Sequence, residues 1–100
     1  MKNGLRIDWS EEAVVNLESI ISYLETHWTN RELKNFAKSL DEQLKIISFH
    51  PKAFPSSNKR KNVHRCVMSK LTSIYYTIDS DRIILLSLFD NRMNPDKLKI

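Results

Sequence analysis

Cysteine is nearly missing from this 100-residue chain: Cys66 stands alone, which excludes an internal disulfide and any multi-cysteine zinc site. Glycine is as scarce, with Gly4 the single example, and the loops that cradle phosphates need several. No apolar run exceeds four residues, and a membrane-spanning helix needs about 20. Asp8, Glu11 and Glu12 stand near the start, where a secretion signal would be apolar. A reduced, cytoplasmic protein of one domain is the expectation, with no membrane association, metal or cofactor. Hydrophobic residues make up 41% and charged ones 28%, the balance of a globular domain. A chain of this length buries roughly 65% of its unfolded surface, enough for a core without staples.

Acid is also missing from one long stretch. From Gln43 to Ile78 there are seven basic residues and no Asp or Glu: Lys45, Lys52, Lys59, Arg60, Lys61, Arg65 and Lys70. Residues 1–50 hold six Lys/Arg against eight Asp/Glu, whereas residues 51–100 hold ten against four. Solvated surfaces usually mix the two signs, so a one-sign stretch points to an anionic partner, either nucleic acid or an acidic protein segment. A basic surface that only keeps the protein soluble is the plainer alternative.

The rest of the pattern is regular. Leu5, Ile7 and Trp9 alternate with Arg6 and Asp8, which predicts a short strand. Ser10 offers an N-cap oxygen, and Ala13, Val14, Leu17, Ile20, Ile21, Leu24 and Trp28 form one helical face. Thr29 and Glu32 make a capping box that starts a second helix. That helix carries Leu33, Phe36, Ala37, Leu40, Leu44 and Ile47 and stops near His50-Pro51. Residues 52–62 read as a loop with a basic exit. Strands follow over 63–68, 72–78 and 82–89, the last two joined by Asp79-Ser80-Asp81, where an Asp is expected to take the left-handed backbone.

The order is β-α-α-β-β-β, an α+β fold. The helical hairpin packs on one face of a curved, mainly antiparallel four-stranded sheet, with the first strand at an edge. The opposite face is expected to be open to solvent or a partner, and residues from about 93 to 100 to form a flexible or partner-ordered tail.

This element order resembles the RelE/ParE family, the toxins of bacterial type II toxin–antitoxin modules. Trp9-Ser10 leads into a helix, and three stretches carry the similarity: Val63–Val67, Ser73–Ile78 and Leu86–Pro95, the last containing Arg92. The resemblance covers nearly the whole chain and implies two opposed activities. RelE-like members cut messenger RNA on the ribosome without a metal; ParE-like members poison DNA gyrase, inhibit growth and stabilise plasmids. Both are silenced by an acidic antitoxin in a hetero-oligomer. Arg92 matches the arginine after the last strand of cleaving members, and Tyr76 the tyrosine ending the third-strand pattern. The third-strand arginine of those members falls on Ser73, and Leu98 and Ile100 stand where a terminal tyrosine or histidine would act. Metal-free RNA cleavage needs a base, an acid and cations around the phosphate, so these departures favour the ParE-like reading.

Candidate residues divide accordingly. Lys59, Arg60, Lys61, Arg65, Lys70, Tyr76 and Arg92 are expected at partner or target contacts. Arg65, Arg92 and His64 become catalytic only if the RNase alternative holds, with His64 the proton-transfer group. Each has a plainer alternative: Arg92 pairing with Asp90 or Asp96, Arg65 lying along a sheet edge, the loop cations solvated. Of Tyr75 and Tyr76, one is expected in the core and the other on the opposite face. Cys66 reads as a buried hydrophobe.

Overall fold

A computed structural model describes residues 4–27, 29–57, 60–69, 71–91, 95–98 and 100. Strand β1 (Arg6–Trp9) leads into helices α1 (Glu11–His27) and α2 (Asn30–Phe49). Strands β2 (His64–Val67), β3 (Thr72–Asp79) and β4 (Arg82–Asp90) follow. A turn of 3-10 helix, Pro95–Lys97, comes last. The strands form one open sheet in the order β1-β4-β3-β2. Antiparallel pairing joins β2 to β3 and β3 to β4, and β1 runs parallel to β4. This is the α+β arrangement expected. Among the described residues, no helix is long and apolar enough to cross a membrane.

Local chemistry sets the element boundaries. Ser10 Oγ accepts the Ala13 N–H (3.0 Å) and donates to the Leu86 carbonyl (3.0 Å), capping α1 and tying it to β4. At the start of α2 the Glu32 carboxylate takes both the Thr29 N–H and the Thr29 hydroxyl. The far end of α2 meets the start of β1, where Leu5 N–H bonds the Ser48 carbonyl (3.0 Å) and Ser48 Oγ donates to the Leu5 carbonyl (2.7 Å). A Cβ on Gly4 would collide with that same Ser48 Oγ, so the only glycine marks a close approach. In the β3–β4 turn Ser80, not an Asp, adopts positive φ (55°). Asp79 is engaged elsewhere, accepting from Arg82 at 3.1 Å.

The main core lies between the hairpin and one face of the sheet. Ala13 and Ile47 meet Cys66, Ile74, Tyr76, Ile83 and Leu85, all fully buried. A bulge between β3 and β4 pairs Tyr75 with Ser87 and Tyr76 with Leu85, leaving Leu86 as the extra residue. Beyond β2, segment 55–57 runs along the sheet edge through a Ser56–His64 bridge and an Arg65 N–H to Pro55 carbonyl bond of 2.9 Å. That segment blunts the edge against further pairing.

Candidate functional site

The sheet face away from the helices is not open as expected. Val63, Tyr75 and Phe89 are buried there together with Leu98, which is only 6% exposed, and Leu86 and Ile100 pack against them. The chain's own tail therefore covers part of that face, and Leu98 belongs to a packed cluster instead of a loose extension. The physical reason lies in the strands: alternation with Leu85 puts Leu86 on this face, and the bulge that follows brings Phe89 there and sends Leu88 to the helix side, so that Tyr75, Leu86 and Phe89 make the face apolar. Apolar surface of that kind is driven out of water.

Beside this cluster stands Arg65. It is half-buried, and its Nη2 donates to Asn91 Oδ1 at 3.4 Å. The same oxygen accepts the Ser73 hydroxyl at 2.6 Å, and Asn91 Nδ2 donates to the Ser69 carbonyl at 3.4 Å. Among the described residues Arg65 Nε is buried without a partner, a donor whose desolvation is uncompensated. Ser73 is fully buried and held by Asn91.

His64 does not join Arg65. Successive strand residues face opposite ways, and the His64 ring stacks on Tyr76 with centroids 5.2 Å apart. Its Nδ1 lies 2.8 Å from the Phe54 carbonyl, which assigns the proton to Nδ1 and makes it the donor. Tyr76, expected at a contact surface, is instead fully buried and donates its hydroxyl to the Pro51 carbonyl at 2.6 Å. Burial pushes its phenol far above the ordinary value. Tyr75 is buried as well, on the tail side. Cys66 sits in the main core with its thiol donating to Gln43 Oε1 (3.4 Å), and burial raises its pKa to about 11, the mark of an inert thiol.

Arg60 and Lys61 are exposed at the turn before β2, with Lys52 exposed earlier in the same loop. Lys59, Lys70 and Arg92 lie outside the described residues, so no geometry is attached to those three expectations. At the opposite edge of the sheet Arg82 bridges Asp8 (3.0 Å) and Asp79 (3.1 Å). The Arg82 guanidinium, more than Arg6, holds the Asp8 carboxyl below its ordinary value.

A second feature escaped the sequence reading. β4 runs on past Leu85, where its pairing with β1 ends, and α1 lies along the vacated side. Asn16 Oδ1 accepts both the Leu88 N–H (3.1 Å) and the Ser87 hydroxyl (2.9 Å), while Asn16 Nδ2 donates to Glu12 Oε2 (3.0 Å). Above this network opens a groove of about 570 Å³ between the hairpin, the far end of the sheet and Lys97. A polar Asn16 inside the apolar stripe of α1 was the visible signal for it.

No family model and no curated relative matches the sequence. Solved structures do match. A chain of the chromosomal ParDE TA system from P. aeruginosa superposes with a TM-score of 0.70 at 16% identity, covering 86% of this chain and 95% of that one. A conserved hypothetical protein from Helicobacter pylori gives a TM-score of 0.58 at 17% identity, covering 88% and 96%. A copper-bound mutant toxin from Helicobacter pylori gives 0.52 at 16% identity, again covering 88% and 96%. The likeness is one of fold, and it spans nearly the full length of each neighbour.

Proposed function

We propose that this chain, which has a RelE/ParE-like fold, is the toxin component of a type II toxin–antitoxin module. In this reading it acts in the bacterial cytoplasm by binding DNA gyrase and is neutralised by an acidic antitoxin. The ParDE neighbour supports the pairing with an antitoxin: the shared architecture covers 95% of that chain. The placement of His64 favours binding over cleavage. His64 and Arg65 lie on opposite sides of β2, with the His64 Nδ1 proton committed to the Phe54 carbonyl. A base and a cation on opposite sides of a sheet cannot converge on one phosphate.

Arg60, Lys61 and Arg65 supply cations for the antitoxin. Induced expression without antitoxin is expected to arrest growth, with loss of supercoiling by purified gyrase when the protein is added. Harmless expression would overturn the toxin reading and leave an interaction module. Arrest with intact gyrase activity and cuts in ribosome-bound messenger RNA would instead establish the RelE-like alternative.

A further inference from the structure

Among its described lining residues, the groove beside α1 has the opposite electrical character to the rest of the C-terminal half. Its floor is apolar, built from Ile20, Leu24, Phe36, Leu88 and Phe89. At its mouth Tyr23 is 44% exposed and Leu71 45% exposed, two large apolar side chains left in water at one site. Three carboxylates line it, Glu12, Glu32 and Asp90, and among the described residues Lys97 is the only cation that does. Glu12 accepts from the Asn16 amide, and Glu32 from the Thr29 hydroxyl and N–H. Those donors are neutral groups, and Glu32 is held below the ordinary carboxyl value by Thr29. On a chain of net charge +4, this is an acid-rimmed apolar slot.

We propose that the groove docks a cationic amphipathic helix of a partner protein. Its apolar side chains would meet the floor, and its lysines or arginines would face Glu12 and Glu32. An extended strand is disfavoured because the edge positions it would use on β4 are taken: Asn16 holds the Leu88 N–H and Ser10 Oγ holds the Leu86 carbonyl. A helix needs no such ladder. The α1 wall from Glu12 to Leu24 is about 18 Å long, room for roughly three turns presenting anchors at i, i+4 and i+7. The groove meets the Arg65 network at Ser69, whose carbonyl accepts from Asn91, but it takes a partner of the opposite charge to the acidic antitoxin proposed above and does not rest on the toxin reading.

The test titrates isotope-labelled full-length protein with two synthetic helices of about 15 residues, a length at which helicity becomes appreciable. One carries leucines on one face and lysines on the other; its counterpart replaces every lysine with glutamate. The Leu/Lys helix is expected to bind and to shift the amides of Ile20, Leu24, Leu71 and Phe89, and the Leu/Glu helix to bind at least tenfold more weakly, about the penalty for like charges in contact. Ser19→Arg, an exposed α1 position lining the groove, is expected to weaken the Leu/Lys helix by about tenfold while leaving the fold intact. Glu12→Gln should weaken it less. Equal affinity for the two helices, shifts mapping to another face, or indifference to Ser19→Arg would overturn the proposal. So would a monomer–dimer equilibrium abolished by Ser19→Arg, which would seat a second copy in the groove. Growth arrest is read separately, so the failure of either reading leaves the other measurable.

Discussion

The two faces of the sheet are closed in different ways. On the helix side Ile74, Tyr76, Ile83 and Leu85 are fully buried beneath two helices of 17 and 20 residues. On the other side Val63, Tyr75 and Phe89 are closed by Leu98, with half-buried Ile100 against them. A face shielded by a helical hairpin opens only when the domain unfolds, whereas one closed by a short terminal segment opens at a smaller free-energy cost. Cations follow the same division. Arg65 projects on the tail side, while its neighbours His64 and Cys66 turn inward against Tyr76 and Gln43. The basic surface read from the sequence is therefore adjacent to the more easily opened cluster.

Substitutions on the two faces test that contrast. Leu85→Ala on the helix side is expected to destabilise by about 4 kcal/mol, from lost transfer energy and an unrelaxed cavity, read from the urea midpoint. Leu98→Ala is expected to lose about 2 kcal/mol, since a terminal segment relaxes more readily around the gap. Equal losses would make the tail as integral as the helices and erase the distinction. Tyr76→Phe leaves the Pro51 carbonyl without its hydroxyl donor and should destabilise by about 1 kcal/mol, with the His64 ring still stacked by NMR.

Arg65→Met should change stability by less than about 1 kcal/mol, because loss of the 3.4 Å bond from Nη2 to Asn91 is offset by removal of the unpartnered buried Nε. Antitoxin binding, in contrast, should fall markedly in the same variant. The smallest effect belongs to acid. Asp8 and Glu32 have carboxyls held below their ordinary values of 3.8 and 4.5. Their contribution is complete above those values and is lost as pH falls through the lower folded ones. Both groups are only half-buried, so screening keeps this loss modest. Urea midpoints measured from about pH 6 to about pH 3 should fall less steeply in Asp8→Asn than in the parent.

Much of the architecture could be read directly. Ser10 and the Thr29/Glu32 pair located both helix starts, and the apolar spacing of Leu17, Ile20, Leu40 and Ile47 located the buried faces. The site was less accessible. Tyr75 and Tyr76 were correctly placed on opposite faces, but alternation alone did not reveal that both would be buried. Asp was expected to take the left-handed turn, yet Asp79 is drawn to Arg82 and Ser80 takes that conformation. His64 and Arg65 were grouped as catalytic candidates, yet as neighbours on one strand they face opposite ways.

What the sequence determined by itself is the order β-α-α-β-β-β, the helix limits and the lopsided charge, because caps, periodicity and residue counts act over a few neighbouring positions. Tertiary structure alone decided the parallel placement of β1 beside β4, the bulge that brings Phe89 to the tail side, the seal made by Leu98 and the groove at Asn16. Each of those depends on which distant segments meet: a side chain's local pattern says that it needs a neighbour but carries no record of which one.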